Sequence, residues 1–291
     1  MPSPRFPDLL CIGVQRSGTT WLWRNLVRFP SVYAPPYKEL TYLNQRTSIP
    51  SPAVQEQRRS VLQDVLKATR EGRLQDPKLV QWFSRFALAR RNDDAWYTSL
   101  FTEASADALA IDFSPAYARM DAGLVARVAQ RMPDVRLILM LRDPIDRAWS
   151  QLQLLRSLGK APAVNSPAEF QRWCQSPDVA ANSHYKVILD RWAAVFGAER
   201  IFIGFYEEVQ QSPLQLLERL MAWLELPYDA SVVETSTSTV YNRKAKRVIP
   251  EPFARAAAPV MLPSLVPLAA TLGGPSKAWL DRCTQLLGVT G

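Results

Sequence analysis

The sequence predicts an α/β fold of three layers, a central and mainly parallel sheet flanked by helices. Three observations predict it. Residues 9–14, 109–113, 135–141 and 201–205 are short apolar runs bounded by polar or turn residues. Runs of this kind mark strands buried on both faces. Between them lie stretches with apolar residues at helical spacing, and strands alternating with helices read as parallel βαβ units. The composition agrees, since 291 residues at 47% hydrophobic and 21% charged can bury one sizeable core. Residues 1–291 therefore read as one domain, with a helical insertion near 48–95 and an unassigned apolar tail at 251–291.

The first strand, at 9–14, runs into a polar turn holding Gly13 and Gly18. A helix from about 18 to 29 follows, with Leu22, Leu26 and Phe29 on one face. Pro30 ends it. Residues 32–34 form a short second strand, punctuated by Pro35 and Pro36. Residues 48–94 are polar, basic and weakly helical, and 96–101 return to the core, with Trp96 and Tyr97 read as packing residues. The strand at 109–113 leads into Ser114-Pro115-Ala116-Tyr117, and a helix covers 122–132. The strand at 135–141 is the strongest in the chain. It ends in Arg142-Asp143-Pro144, where Asp143 is a good N-cap and Pro144 suits the first helical position. A second strand-loop-helix unit therefore starts there. Residues 157–183 read as loop, with Gly159, Pro162 and Pro167 as punctuation. A helix at 185–196 is closed by Gly197. The strand at 201–205 carries Tyr206-Glu207-Glu208 at its tip, and a helix covers 213–224. Beyond Pro227 the chain reads as irregular. The tail from 251 is helical in part, and its apolar stretch is broken by Pro259, Pro263 and Pro267.

Net charge is +8, from 35 basic and 27 acidic residues. That balance suits an anionic partner. The basic residues are scattered, and the densest cluster is Arg243-Lys244-Ala245-Lys246-Arg247. One anion pocket fits this pattern better than a nucleic-acid track, so nucleic acid is not an expected partner. Cys11, Cys174 and Cys283 are odd in number and far apart, without metal spacing or a disulfide framework. A reducing, cytoplasmic compartment and no bound metal are the expectations. The single His184 excludes a His-rich metal site. No signal peptide or membrane span is expected, since residues 1–7 are short and proline-rich and no uncharged run reaches the roughly 18 apolar residues of a span.

The first turn is the chemical centre of the sequence. A strand, a tight glycine-bearing loop and a helix start offer free backbone N–H groups and a positive dipole end, a ready anion site. Arg16 can neutralise an anion there, and Ser17, Thr19 and Thr20 add hydroxyl donors. The ordinary phosphate loop is G-x-x-x-x-G-K-[ST]. Gly13 and Gly18 have that separation, but Thr19 stands where the lysine belongs. Lys38-Glu39 puts a charged pair just after the second strand, beside the loop, at the sheet edge where ligands bind.

Gln15-Arg16-Ser17-Gly18-Thr19-Thr20-Trp21-Leu22 resembles the 5′-phosphosulfate loop of sulfotransferases that use 3′-phosphoadenosine 5′-phosphosulfate (PAPS). Arg142-Asp143-Pro144-Ile145-Asp146-Arg147-Ala148-Trp149-Ser150 resembles the 3′-phosphate motif of the same family, an arginine and a serine eight positions later. Lys38-Glu39 with Thr41-Tyr42-Leu43 is similar to the Lys-Glu-x-x-Phe-Phe segment of the Golgi-type heparan branch. The histidine-based cytosolic branch is a poorer match. Residues 111–117 and 205–208 also have counterparts, and the resemblance spans roughly 8 to 250. It departs from the family at Arg16, where a lysine is usual. It also departs at Phe113, where the heparan enzymes carry lysine, and at Ala245, often glycine.

The resemblance implies a P-loop-like sulfotransferase with PAPS as donor. Arg16, Ser17, Gly18, Thr19, Thr20 and Trp21 would hold the 5′-phosphosulfate. Arg142 and Ser150, with one or more of Arg243, Lys244 and Arg247, would hold the 3′-phosphate, and Tyr206 would meet the adenosine end. Glu39 would act as base and Arg16 would stabilise the departing phosphate. Lys38 is expected to face the acceptor, Asp112 to face it or to stand behind the residues that do, and Arg147 to be a solvated or structural helix charge. The acceptor would be a small molecule or a carbohydrate carrying a hydroxyl or amine. Trp82, Phe83, Phe86, Phe170 and Trp173 are candidate walls of its site. The apolar tail could cover the core, touch a lipid acceptor or join a second subunit in a homodimer. Two other functions fit the residues: a P-loop phosphotransferase or kinase, and a non-enzymatic module binding a polyanion or a membrane.

Overall fold

The computed structural model describes residues 4–45, 48–234 and 248–288. At its centre lie five strands, β1 (Leu9–Gly13), β2 (Val32–Tyr33), β3 (Leu109–Phe113), β4 (Arg136–Leu141) and β5 (Ile201–Phe205), in the order β2-β3-β1-β4-β5. Every pairing is parallel. Helix α1 (Thr19–Leu26) follows β1. Helices α2 (Pro52–Arg70), α3 (Pro77–Leu88) and α4 (Asp94–Ser99) fill the stretch between β2 and β3. Helix α5 (Ala122–Arg131) joins β3 to β4. Then come α6 (Pro144–Ser157), α7 (Pro167–Cys174), α8 (Pro177–Ala181) and α9 (Tyr185–Phe196). Helices α10 (Tyr206–Gln211) and α11 (Pro213–Trp223) follow β5, and α12 (Glu251–Leu272) and α13 (Gly274–Leu287) come last.

Strand side chains alternate between faces, and this builds the three layers. Leu9, Cys11, Ile138 and Met140 cluster with Leu22 and Leu26 of α1 and Leu217 and Leu220 of α11. Leu10, Ile12, Leu137 and Leu139 cluster with Val125 of α5, Leu152 of α6, Ile188 of α9 and Met261 of α12. The predicted α/β class, a parallel sheet between helical layers, is the observed one.

All five strands end on one edge of the sheet. From β1 the chain passes to β2 and β3 on one side, then crosses to β4 and β5 on the other. The crevice between the tips of β1 and β4 is therefore the topological switch point, where open α/β sheets bind ligands.

Two segments differ from expectation. Residues 157–183, which read as loop, hold α7 and α8. Pro167 and Pro177 occupy first helical positions after Ser166 and Ser176 rather than punctuating a loop. The Glu169 N–H donates to Ser166 Oγ at 3.3 Å and the Ser166 N–H donates to the Glu169 carboxylate at 2.9 Å, a closed capping box. In the tail, α12 runs unbroken through Pro259, Pro263 and Pro267. The three prolines lie four residues apart on an exposed stripe, opposite buried Ala254, Ala257, Ala258, Met261, Leu265 and Leu268. Carbonyls freed on that side meet water, so no buried group is orphaned. By length and composition α12 could cross a membrane, although 33% of its apolar window is buried inside the fold. It packs against α6, α7, α9 and α13.

Candidate active site

The β1 loop is shaped by two glycines. Register with β4 shifts between Cys11 and Gly13. Gly13 has φ 152°, and a Cβ there would lie 2.7 Å from Ala118 Cβ and 3.0 Å from the Pro115 carbonyl. Only glycine lets the loop start so close to the turn after β3. Gly18, with φ 89°, caps α1 and would place a Cβ 3.1 Å from the Tyr206 ring. Gly18→Ala is expected to lower stability by about 1–3 kcal/mol, read from chemical denaturation, because it forces a left-handed alanine against that ring.

Gly18 has no side chain to cap the helix, and the first helical bond is Leu22 N–H to the Gly18 carbonyl at 3.1 Å. The amides of Thr19, Thr20 and Trp21 thus take no part in the helical ladder and point out of its positive end. Ser17 is fully buried, and its Oγ has no hydrogen-bond partner. A buried, unsatisfied hydroxyl is costly unless a ligand completes it. Loop and helix end together make a cradle for a tetrahedral anion.

Arg16 turns across the crevice from a left-handed backbone position, φ 73°. Its Nε and Nη2 donate to Ser150 Oγ of α6 at 3.1 and 3.0 Å. Arg142, at the tip of β4, donates from Nη1 to the Arg16 carbonyl at 3.3 Å. Its guanidinium lies 4.4 Å from the centre of the Tyr206 ring. The Tyr185 hydroxyl fixes the Arg142 carbonyl at 2.8 Å. Arg16, Arg142, Ser150 and Tyr206 are therefore gathered at the switch point from four elements. Burial lowers the pKa of Arg16 and the neighbouring Arg142 charge lowers it further, as two cations facing one crevice should. Arg243, Lys244 and Arg247 lie outside the described residues. The Trp21 indole N–H is spent on the Glu234 carbonyl at 3.3 Å.

Arg147 is fully buried in α6, so its expected structural role holds and the solvated one does not. It donates to Gln151 Oε1 at 2.8 Å, Ser183 Oγ at 2.9 Å and the Val179 carbonyl at 3.3 Å, tying α6 to α8.

On the other side of the loop, Glu39 follows β2 with φ 63° and an exposed side chain. Its N–H donates to the Phe113 carbonyl at 2.7 Å. The next residues hang from two hydroxyls. The Thr41 N–H donates to Ser114 Oγ at 3.1 Å, and the Tyr42 and Leu43 N–H groups donate to Tyr117 Oη at 3.1 and 3.3 Å. Both hydroxyls donate onward to Asp112 at 2.7 Å, and Tyr97 adds a third bond at 2.8 Å. Asp112, expected at the acceptor with a supporting place behind it as the alternative, takes the supporting place, and the acceptor contact is corrected. Its side chain is wholly buried and both oxygens are engaged by hydroxyls, so it anchors the segment bearing Glu39 instead. Burial raises its pKa, and the hydroxyls of Tyr117, Ser114 and Tyr97 oppose the rise.

Lys38, also expected at the acceptor, reaches the β1 loop, where its Nζ donates to Thr20 Oγ1 at 2.9 Å. Of the proposed acceptor walls, Trp82, Phe83, Phe86 and Phe170 are core residues and Trp173 is half-buried. Among the described residues no cluster of three or more His, Cys, Asp or Glu could hold a metal.

Sequence reasoning missed a brace from the tail. Arg282 of α13 lies 2.6 Å from Asp143 Oδ2 and 3.1 Å from Asp146 Oδ1. The Trp279 indole donates to Glu207 Oε1 at 3.0 Å, which also accepts the Asp143 N–H at 3.3 Å. The hairpin of α12 and α13 thus grips the turn that presents Arg142.

Fold and site together define a P-loop-like α/β protein with an anion cleft at its switch point. The sulfotransferase family model matches residues 7–230, and the chain belongs to that family. Among solved structures it is similar to a sulfotransferase from Alicyclobacillus acidocaldarius, with TM-score 0.66 and 21% identity, over 94% of this chain and 99% of that one. The sulfotransferase domain of the curacin biosynthetic pathway matches with TM-score 0.56 and 19% identity, over 99% of each chain. The sulfotransferase domain of the Synechococcus PCC 7002 olefin synthase matches with TM-score 0.53 and 17% identity, over 89% and 96%. At such identities the likeness is one of fold. No curated protein sequence matches the chain.

Proposed function

We propose that the protein transfers a sulfuryl group from PAPS to a hydroxyl or amine of a small-molecule or carbohydrate acceptor, with Glu39 as base. The observation that carries this reading is the joining of the two strand tips. Arg16 of the β1 loop bonds Ser150 of α6, and Arg142 of β4 bonds the Arg16 carbonyl, so one crevice gathers cations and hydroxyls from both strand tips. A nucleotide with a 5′-phosphosulfate and a 3′-phosphate is an anion with two such ends. The unpartnered Ser17 hydroxyl and the open amides of α1 fit its 5′ end, and Arg142 with Ser150 fits its 3′ end.

When bound, the donor supplies an activated sulfur on a phosphate leaving group. The protein's share is alignment, charge neutralisation and proton removal. Glu39 takes the acceptor's proton as the new bond to sulfur forms. Because a hydroxyl is a weak acid, the base acts only as that bond develops. The exposed carboxylate on a segment pinned through Ser114, Tyr117 and Asp112 suits a base that must be open to an acceptor yet fixed in place.

Incubation with ³⁵S-labelled PAPS and a panel of phenols, alcohols, amines and sugars tests this reading. Label is expected in at least one acceptor, without a requirement for magnesium. Magnesium-dependent turnover of ATP with no label transfer would favour the phosphotransferase. The tail brace adds a further expectation. Arg282→Ala should weaken binding of the desulfated product, 3′-phosphoadenosine 5′-phosphate (PAP), by about threefold to tenfold, on the order of 1 kcal/mol for a half-exposed pair. Calorimetry should find 5′-AMP binding unchanged, because the brace acts through the turn that holds the 3′-phosphate.

A further inference from the structure

Arg16 stands where the family usually carries a lysine, and its guanidinium is turned toward Ser150. Arginine is effectively never deprotonated, which makes it a poor proton carrier. A lysine does approach the β1 loop, from a different part of the chain. Lys38 follows β2, and its Nζ donates to Thr20 Oγ1 at 2.9 Å. Thr20 is the second residue of α1, and its own amide is one of the open amides at the helix start.

We propose that Lys38 is the cation that engages the 5′-phosphosulfate and stabilises its leaving phosphate. The proposal rests on the PAPS reading above. An ammonium has three N–H donors, and Thr20 uses one. Two remain for oxygens of a 5′ anion seated on the helix end. In the transfer, the acceptor oxygen or nitrogen forms its bond to sulfur with its own lone pair, and Glu39 receives the proton. The bond from sulfur to the phosphate oxygen breaks, and its electron pair stays on that oxygen. The Lys38 ammonium lies where it can neutralise that charge by hydrogen bonding. The adjacent positions of Lys38 and Glu39 then place the two complementary roles, leaving-group cation and acceptor base, on one short segment hung from the Asp112 network.

The free protein carries a cost that fits this use. Lys38 is partly buried and bonded to a neutral hydroxyl, and burial lowers its pKa, opposed in part by Cys11 and Glu39. A base with a folded pKa below its unfolded one binds fewer protons when folded. It therefore destabilises the free protein at neutral pH, and that cost is relieved as pH rises from the lowered value toward 10.5. Strain of this kind is common where a site is built for an absent counter-charge.

Calorimetric titration with PAP and with 3′-AMP, which lacks the 5′-phosphate, tests the assignment without turnover. Lys38→Met is expected to weaken PAP binding by about 10- to 100-fold, the range for a hydrogen bond to a charged group. It should leave 3′-AMP affinity within about twofold and the melting temperature no lower than that of the wild type. Lys38→Gln should repeat the pattern, and it serves if the methionine variant does not fold. Equal loss of both ligands, or loss of neither, would overturn the role of Lys38. Failure of the wild type to bind PAP would instead overturn the donor reading on which it rests.

Discussion

Glu39→Gln is expected to reduce kcat by about 10²- to 10⁴-fold, the usual contribution of a positioned general base. The change is nearly isosteric, and it keeps a side chain that can hydrogen-bond the acceptor but cannot take its proton. The backbone of residue 39 is set by its bond to the Phe113 carbonyl, and that of residues 41–43 by the hydroxyls of Ser114 and Tyr117, none of which involves the carboxylate. The fold and the donor cleft should therefore survive. PAP affinity should stay within about twofold while turnover on any sulfated acceptor collapses. A parallel fall in PAP affinity would mean that the substitution disturbs the cleft rather than the chemistry.

Arg142→Ala is expected to weaken PAP binding by about 30- to 4,000-fold, since truncating one member of a desolvated charge pair costs roughly 2–5 kcal/mol. Arg142 also contributes to the cleft before any ligand arrives. Its guanidinium packs on Tyr206 and bonds the Arg16 carbonyl, so it links the β4 tip to the β1 loop. Arg142→Lys keeps the charge but loses the planar stacking and forked donors, and it should recover only part of the affinity. Binding of 5′-AMP discriminates between local and general damage. It should fall far less than PAP binding in Arg142→Ala, because that ligand lacks the 3′-phosphate and feels Arg142 only through the Arg16 carbonyl.

The sheet and the two anion motifs were legible in the sequence because their signals are local. A buried parallel strand is a continuous apolar run, as at Leu137 to Leu141, and a strand-loop-helix cradle is written in adjacent residues, as at Gly13 to Trp21. The helices α7 and α8 were hidden because Pro167 and Pro177 serve equally as loop punctuation and as first helical residues. The prolines of α12 read as breaks for a related reason: an interior proline usually ends a helix, and these three are tolerated on an exposed stripe where the freed carbonyls meet water. Asp112 left two roles open because an acid at a strand tip looks available. Its burial depends on Tyr97, Ser114 and Tyr117 converging from α4 and the turn after β3. Lys38 was recognised as a site residue, but its contact with Thr20 depends on the packing of β2's tip beside α1. The link from Arg282 to Asp143 joins residues 139 apart in sequence and left no local signal.

These pieces amount to a crevice with two cationic ends. Arg142 and Ser150 form one, and the β1 loop with Lys38 forms the other. Calorimetric titration of the wild-type protein with PAP and with 5′-AMP measures that most directly. PAP should bind with one-to-one stoichiometry, at least about 30-fold more tightly than 5′-AMP, with affinity falling as salt is raised. Equal affinity for the two nucleotides, or no binding of PAP, would contradict the two-ended cleft.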